Sequence, residues 1–215
     1  MNKNLCYIVG AGDFSKNFIP QPSAGDLLIA ADGGYDYCRR LNLTPDIYIG
    51  DSDSLSDSFD IESIESVNKI LLPTEKDDTD TLAAVKTALS KGFQRFYIYG
   101  GTGGRFSHTI ANLQVLTYLA DNDSRGFLFG KDCICTVIKN DTISYPSNCQ
   151  GYISVFSLSD SAKEVTIKGL KYETDTINLT NTFPLGISNE FIGKKAEISV
   201  ATGFLLIICN YLPEE

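Results

Sequence analysis

The first half of the chain alternates short apolar segments with segments of helical periodicity, and this alternation constrains the fold more than any other feature. The apolar segments are apolar at consecutive positions, which is typical of strands covered on both faces of a sheet. The predicted strands are Leu5–Val9, Leu27–Ala31, Ile47–Ile49, Lys69–Leu72 and Arg95–Tyr99, and the predicted helices are Tyr35–Leu41, Thr79–Lys91 and Ser107–Ala120. The alternation predicts an α/β domain with a mostly parallel sheet and helices on both faces.

The second half of the chain has a different pattern. The polar segment Asp121–Ser124 interrupts the alternation, and strand-like segments then follow at short spacing with no convincing helix. The predicted strands are Phe127–Phe129, Cys133–Ile138, Tyr152–Leu158, Val165–Ile167, Ile198–Ala201 and Phe204–Cys209. The segment Ala201–Phe204 is typical of a hairpin turn. The sequence therefore predicts two domains, an α/β domain over residues 1–122 and a smaller all-β, sandwich-like domain over residues 123–215.

The charge balance excludes several classes of partner. The chain has 215 residues, with 18 lysines and arginines against 27 aspartates and glutamates, so its formal net charge is −9. A chain this acidic lacks the basic field that would attract nucleic acid or an anionic membrane surface. Hydrophobic residues make up 43% and charged residues 21%, a balance that excludes a disordered chain.

The apolar runs and the cysteines indicate a cytoplasmic location. No apolar run approaches the roughly 20 residues of a membrane-spanning helix, and Leu5–Val9 ends at once in Gly10-Ala11-Gly12, unlike a signal peptide. The six cysteines include no CxxC pair, and Cys133 and Cys135 have the wrong spacing for the usual zinc or redox motifs. We therefore expect buried free thiols in a reducing compartment.

Loops rich in glycine and aspartate follow the predicted strands of the first half. These loops are Gly10–Asp13, Asp32–Gly34, Gly50–Ser54, Pro73–Asp80 and Gly100–Arg105. The carboxyl ends of parallel strands meet at one edge of a sheet, and that edge is where α/β folds bind ligands. We therefore expect these loops to converge on one crevice.

Two aspartates of the third loop predict a metal site. In an extended segment Asp51 and Asp53 project to the same side, where their charges repel unless a cation lies between them. Mg²⁺ prefers oxygen ligands and keeps positions for substrate phosphates. A solvated turn is the simpler alternative. The expected presence of Asp32 and Asp80 at the same edge favours the metal site.

Two further segments predict phosphate contacts. Lys76 stands at the start of a predicted helix, where a positive charge is unfavourable unless an anion binds there. Asp77, Asp78 and Thr79 are also natural capping residues, and both interpretations can hold together. The loop Gly100–Arg105 is glycine-rich and opens onto a helix, as expected where backbone approaches phosphate, although a flexible turn with a solvated arginine is the alternative.

His108 is the only histidine, and Asn112 lies four residues later on the same helix face. A histidine near a helix N-terminus is often a packing or capping residue, with substrate contact as the alternative. No Ser-His-Asp or Cys-His arrangement can be built around it. We therefore expect at most a binding role for the pair.

Taken together, these segments resemble the thiamine pyrophosphokinase family. That family carries Ala-Asp-Gly-Gly, a Pro with Gly-Asp-x-Asp-Ser, Lys-Asp-x-Thr-Asp, a glycine-rich loop with Arg-x-Asp-His, and Ile-Ser-Asn-Glu near the C-terminus. The matching segments here are Ala31–Gly34, Pro45 with Gly50–Ser54, Lys76–Asp80, Gly101–His108 and Ile187–Glu190. Order and spacing agree over most of the chain, which makes the resemblance specific.

The resemblance implies an enzyme that uses Mg²⁺ to transfer pyrophosphate from ATP to the thiamine hydroxyl, giving thiamine diphosphate and AMP. It implies an N-terminal α/β catalytic domain, a C-terminal β-sandwich that binds thiamine, and a homodimer with thiamine between the subunits. It places Mg²⁺ on Asp51, Asp53 and Asp80. It gives the nucleotide site as Asp32, Gly33, Gly34, Lys76, Thr79, Gly101, Gly103, Gly104 and Arg105.

The remaining assignments concern catalysis and thiamine. The expected catalytic set is Asp51, Asp53, Lys76, Asp77, Asp80 and Arg105, in which Lys76 and Arg105 neutralise phosphate charge and either Asp77 or Asp80 takes the hydroxyl proton. The expected substrate contacts are Ser107, His108, Asn112, Ser188 and Asn189, of which the resemblance supplies the last two.

Two positions depart from the family pattern. Ser107 stands where the family usually has Asp, and Ser52 stands where it often has Phe. Ser52 points away from the paired aspartates, whereas Ser107 alters one expected substrate or cation contact. Two alternatives therefore stay open, a related nucleotide-dependent transferase or hydrolase and a non-catalytic thiamine-binding protein. AMP release with and without thiamine separates the family activity from the first alternative, and thiamine binding without turnover would indicate the second.

Overall fold

The computed structural model describes residues 4–50, 68–71 and 78–210. The chain divides into two compact units. The first comprises Met1–Val115 with Gly126–Lys131, and the second comprises Leu116–Arg125 with Asp132–Glu215. Each unit has its own hydrophobic core.

The first unit is built on parallel strands. Its elements in chain order are β1 (Cys6–Val9), β2 (Leu27–Ala31), α1 (Gly34–Arg40), β3 (Ile47–Gly50), β4 (Asn68–Leu71), α2 (Asp80–Ser90), β5 (Arg95–Tyr99), the start of α3 (Phe106–Asp121), and β6 (Arg125–Phe129). The strand order is β6-β5-β1-β2-β3-β4. Pairs β1–β2, β1–β5, β2–β3 and β3–β4 are parallel. The predicted mostly parallel sheet of an α/β unit is confirmed.

Strand β1 shows why these segments are apolar at consecutive positions. Tyr7 and Val9 pack in a buried cluster with Tyr35 and Cys38 of α1, while Ile8, which points to the other face, is also fully buried. Helix α2 packs against β1, β2 and β3 through buried residues that include Ala84, Val85 and Ala88. The expectation that helices cover both faces stays a prediction. No helix in the described ranges has the length and apolar character needed to cross a bilayer.

The second unit is antiparallel. Its strands are β7 (Cys133–Lys139), β8 (Thr142–Tyr145), β9 (Tyr152–Ser157), β10 (Ser161–Lys168), β11 (Thr174–Thr180), β12 (Gly186–Glu190), β13 (Ala196–Ser199) and β14 (Phe204–Asn210). They lie in the orders β12-β9-β14-β7 and β11-β10-β13-β8. Buried side chains from both groups, among them Val155, Ile167, Ile198 and Ile207, form one core. A separate antiparallel unit is therefore present, as the sequence predicts. The unit also contains Leu116–Arg125, with the end of α3, whereas the predicted strand Phe127–Phe129 lies in the first unit.

Two details of the second unit differ from the sequence prediction. Strands β8, β11 and β12 were not predicted, because most of their residues are exposed or half-buried and their apolar pattern is weak. The predicted hairpin at Ala201–Phe204 is wrong. Strand β13 pairs with β8 and β10, whereas β14 pairs with β7 and β9, so this turn connects two different groups of strands.

The cysteines are all free thiols, and their burial predicts an order of reactivity. Burial raises the pKa of the Cys38 thiol to about 12, and Cys6 is fully buried. The half-buried Cys133 has a lowered pKa because it accepts a hydrogen bond from the Cys135 thiol. Since the thiolate is the reactive form, we expect iodoacetamide to label Cys133 well before Cys6 or Cys38 near neutral pH, as measured by peptide mass spectrometry.

The control for this experiment is the same labelling in guanidinium chloride. Unfolding exposes every thiol, so the difference between Cys133 and the buried cysteines should disappear. Labelling of Cys6 or Cys38 ahead of Cys133 in the native protein would contradict the expectation.

Candidate active site

A cavity of about 340 Å³ lies at the carboxyl ends of β1, β2 and β5 in the first unit. Its lining comes from the loops that follow these strands and from the first turns of α2 and α3. The lining residues are Gly10, Ala11, Gly12, Ala31, Asp32, Thr79, Asp80, Thr81, Gly100, Gly101, Thr102, Gly103, Gly104, Arg105, His108, Ala111 and Asn112. The sheet edge therefore gathers loops that are far apart in the sequence.

The cavity brings together many of the predicted site residues. Those that line it are Asp32, Thr79, Asp80, Gly101, Gly103, Gly104, Arg105, His108 and Asn112. Gly33, Gly34 and the exposed Ser107 are not among the lining residues. Asp51, Asp53, Lys76 and Asp77 lie outside the described residues, and Ser188 and Asn189 belong to the second unit.

Sequence analysis missed several lining residues, among them Ala11, Thr81 and Thr102. Each stands next to a predicted site residue or between two glycines of a predicted loop. The loop positions were therefore visible, but these small side chains carry no chemistry that would single them out.

Two glycine loops are joined by hydrogen bonds. The first glycine loop is residues 10–13, after β1, and the second is residues 100–105, after β5. Four successive carbonyl oxygens from the end of β5 into the second loop each accept one hydrogen bond: Tyr99 from Gly10 N (2.8 Å), Gly100 from Gly12 N (2.7 Å), Gly101 from Asn112 Nδ2 (2.8 Å) and Thr102 from Asp13 N (2.7 Å). The backbone of this part of the site is therefore fixed before any ligand binds.

Close packing between the two loops requires glycine at two of their positions. A Cβ on Gly12 would collide with the carbonyl oxygen of Thr102, and a Cβ on Gly103 would collide with the carboxyl group of Asp13. Gly103 also has φ +81°, a backbone conformation that favours glycine. These glycines therefore allow the two loops to pack closely, and they also leave the neighbouring cavity open.

Asp32 is held in an unusual conformation at the cavity. Its φ is 52°, which is uncommon for a residue with a side chain. Its N–H donates to the Ile49 carbonyl at 2.8 Å. Its Oδ1 atom is buried and has no hydrogen-bond partner among the residues that the structure describes. A strained carboxylate with an unpartnered buried oxygen at a cavity is typical of a ligand-binding position.

The polar residues around the first turn of α2 have two roles: some stabilise the helix, and others line the cavity. Thr79 is the N-cap, and its Oγ1 accepts a hydrogen bond from Leu82 N at 3.2 Å. Asp78 pairs with Lys86 Nζ at 2.7 Å. Asp80 lies in the first turn and lines the cavity. The capping interpretation is confirmed for Thr79, whereas Asp77 lies outside the described residues. Asp80 is in position to contact a ligand.

The start of α3 contributes the cationic side of the cavity. Arg105 precedes the helix and is exposed, and its carbonyl accepts a hydrogen bond from His108 N at 2.9 Å. In the part of the chain that the structure describes, the charged residues on the lining are Asp32, Asp80 and Arg105, with His108 beside them. One guanidinium and two carboxylates around a glycine-rich wall can bind an anion together with a cation.

In the second unit, the side-chain amide of Asn189 is hydrogen-bonded to backbone groups. It is 6% exposed. Its Oδ1 accepts from the N–H groups of Tyr172 and Glu190, both at 2.9 Å, and its Nδ2 donates to the Tyr172 carbonyl at 2.7 Å. The neighbouring Ser188 is exposed, with φ 56° and its N–H donating to Ser154 Oγ at 3.0 Å. Ser188 therefore lies on the surface, whereas Asn189 shapes the segment.

Two family models match this chain. The model of the thiamin pyrophosphokinase catalytic domain matches residues 22–128, and the model of the thiamin pyrophosphokinase vitamin B1 binding domain matches residues 140–205. The first match contains most of the loops around the cavity. The second lies within the antiparallel unit.

Individual relatives agree with these matches. A thiamine pyrophosphokinase of Bacillus subtilis is 29% identical over 200 residues, which cover 90% of this chain and 93% of that protein. The crystal structure of the Bacillus subtilis thiamine pyrophosphokinase superposes with a TM-score of 0.84 at 26% identity, covering 96% of this chain and 99% of that one. A structure from Enterococcus faecalis gives 0.83 at 25% identity, covering 97% and 99%. With both domain models matched in order along most of its length, the chain belongs to the thiamin pyrophosphokinase family.

Proposed function

We propose that this protein transfers a pyrophosphoryl group from ATP to the hydroxyl of thiamine, giving thiamine diphosphate and AMP. The observation that carries the proposal is the match of both family models, one for catalysis and one for vitamin B1 binding. The thiamine hydroxyl oxygen attacks the β-phosphorus of ATP. The bond between this phosphorus and the oxygen that bridges it to the α-phosphorus breaks, and AMP leaves with that oxygen. The hydroxyl proton passes to a carboxylate, with Asp77 and Asp80 as the two candidates.

Carboxylate oxygens suit Mg²⁺ at this site. Asp32, whose buried Oδ1 has no hydrogen-bond partner among the described residues, and Asp80 both line the cavity, and hard oxygen donors are the ligands that Mg²⁺ prefers. In the described part of the chain no group of three or more His, Cys, Asp or Glu side chains forms a metal cluster. The proposed ligands are Asp51, Asp53 and Asp80. When bound, Mg²⁺ would offset charge on the triphosphate.

The glycine-rich wall and its cations form the proposed nucleotide site. The second glycine loop offers backbone to the phosphates without side chains in the way, and Arg105 offers a planar fork to phosphate oxygens. The complete proposed set is Asp32, Gly33, Gly34, Lys76, Thr79, Gly101, Gly103, Gly104 and Arg105. Positioning and charge neutralisation supply most of the acceleration in phosphoryl-type transfer, so these residues account for catalysis without a covalent intermediate.

Thiamine recognition is the less constrained half of the proposal. We assign catalysis to residues 1–122 and thiamine binding to residues 123–215, with contacts from Ser188 and, in the first domain, from Ser107 and His108. Asn189, whose buried amide bonds to the backbone, holds the Ser188 segment in place instead of contacting thiamine directly. Ser107 and Ser188 are both exposed, so their hydroxyls can face a substrate. The family resemblance supports a homodimer and a cytoplasmic location, and sedimentation of the purified protein tests the first.

A product assay tests the proposed function. The purified protein is incubated with thiamine, ATP and Mg²⁺, and products are identified by mass spectrometry. We expect thiamine diphosphate and AMP in equal amounts, with neither formed when thiamine is omitted. AMP or ADP released without thiamine would indicate a different transferase or a hydrolase, and thiamine bound without any product would indicate a binding protein.

A further inference from the structure

Asn112 provides the side-chain donor among the four hydrogen bonds described above, which are accepted by the successive carbonyl oxygens of residues 99–102. The other three donors are backbone N–H groups of the first glycine loop. Asn112 Nδ2 lies 2.8 Å from the Gly101 carbonyl oxygen, and the Asn112 side chain is buried, with the residue 8% exposed. Since a carbonyl oxygen only accepts, the amide must present its NH₂ group here.

This hydrogen bond holds the carbonyl end of one peptide plane, and the N–H end belongs to Thr102, which pairs with Asp13 in an antiparallel bridge. The C=O of Gly101 and the N–H of Thr102 belong to the same planar trans peptide, so they point in opposite directions. A rotation of this plane would exchange the two groups. Gly101 lacks a Cβ that would oppose such a rotation, and only glycine fits here, because a Cβ would collide with Leu128 and lie 3.2 Å from Asn112 Nδ2.

The orientation of this peptide decides whether the loop presents an N–H group or a carbonyl oxygen to an anion. An N–H group attracts phosphate oxygens, whereas a carbonyl oxygen repels them. Gly101 and Thr102 both line the cavity, so a rotated peptide would change the polarity of its wall. We propose that Asn112 is a positioning residue that holds the Gly101–Thr102 peptide in the orientation suited to the nucleotide phosphates. The proposal rests on the proposed function and replaces the direct substrate contact predicted for Asn112.

Asn112→Asp tests this role because it preserves shape but changes the donor. Near neutral pH the carboxylate would face the Gly101 carbonyl and repel it, whereas a protonated carboxyl group would donate to it again. We expect KM for ATP to rise about ten-fold or more near pH 7.5, with kcat changed much less. The ratio of variant to wild-type KM should fall as the pH is lowered to about 5.5, since burial raises the pKa of such a carboxyl group.

The pH dependence is expressed as the ratio of the variant KM for ATP to the wild-type KM for ATP at each pH. Among the described residues, the titratable groups on the same cavity lining are Asp32, Asp80, Arg105 and His108, and all of them are present in both proteins. Their ionisation therefore affects both measurements. A second variant, Asn112→Ala, removes the donor without adding a titratable group, so its KM ratio should be raised and independent of pH.

Asn122→Asp is the matched control. Asn122 Nδ2 also donates to a backbone carbonyl, that of Tyr118 at 2.8 Å, next to the same helix, but it does not line the cavity. We expect its KM for ATP to match the wild type at every pH. Isothermal titration with ATP and Mg²⁺, without thiamine, measures the affinity separately from turnover.

The outcomes separate the two proposals. A wild type that neither binds ATP nor forms thiamine diphosphate overturns the proposed function. An active wild type with an Asn112→Asp KM ratio near one, or with a ratio raised equally at all pH values, overturns the positioning role. If Asn112→Asp does not fold, the pH-independent KM rise of Asn112→Ala decides, and an unchanged KM there also overturns it.

Discussion

Asp80→Asn is expected to lower kcat/KM by at least about 10²-fold while the protein remains folded. Asp80 lines the cavity at the first turn of α2, and it is one of the proposed Mg²⁺ ligands. A bound metal supplies several kcal/mol of stabilisation to the transition state, and about 2.7 kcal/mol corresponds to 10²-fold in rate. Asparagine has nearly the same shape but no charge. Initial rates of thiamine diphosphate formation at several Mg²⁺ concentrations measure the effect.

Asp78→Asn is the matched control for this experiment. Asp78 lies two residues earlier, but it pairs with Lys86 Nζ at 2.7 Å and does not line the cavity. An exposed ion pair of this kind contributes only about 0–1 kcal/mol to stability. We expect normal kinetics from Asp78→Asn. Equal activity of the two variants would argue against a metal ligand at Asp80. Failure of excess Mg²⁺ to restore part of the Asp80→Asn activity would argue against it as well.

Gly34→Ala is expected to lower the free energy of unfolding by about 3 kcal/mol, with a fall of roughly 6–12 °C in the unfolding temperature. A Cβ at this position would collide with the carbonyl oxygen of Val9 and lie 2.9 Å from that of Gly10. These atoms belong to buried backbone at the end of β1, which cannot move aside. The gain of about 1 kcal/mol in helix propensity is smaller than this cost. Thermal unfolding followed by circular dichroism measures the change.

Gly92→Ala provides the comparison for Gly34→Ala. Gly92 has φ +86°, and a Cβ added to it would meet no atom within 4 Å, so only backbone strain of about 1–2 kcal/mol is expected. Steric collision predicts a larger loss at Gly34 than at Gly92. The reverse order would show that α1 can shift away from β1 at little cost, and that Gly34 is explained better by a nucleotide contact than by packing.

The first unit was largely predictable because its signals are local. Consecutive apolar residues in β1 and β2 predicted buried parallel strands, and Thr79 and Gly92 marked the two ends of α2. Weak patterns failed in the second unit. Strand β11 buries only Leu179 completely, and a strand with that composition resembles a polar loop.

The candidate site was predictable as a set of loops but not as a set of contacts. Sequence reasoning placed Asp32, Asp80 and Arg105 at one edge because parallel strands share their carboxyl ends. It could not show that Asn112 donates to Gly101, because that pairing depends on how α3 packs beside the loop. Sequence reasoning also could not distinguish a glycine required for ligand binding from one required for close packing, since the residue is the same in both cases.

The hydrogen bonds between the two glycine loops have a consequence for biosynthesis. Strands β1 and β5 are neighbours in the sheet, yet β1 is made first and β5 only after β2, α1, β3, β4 and α2 have been synthesised. Such non-local pairing is slow, because a long stretch of chain must close before the contact forms. A nascent chain that ends before residue 100 therefore has no partner for Gly12, whose N–H donates to the Gly100 carbonyl. We expect ATP to stabilise only chains that extend beyond the second glycine loop.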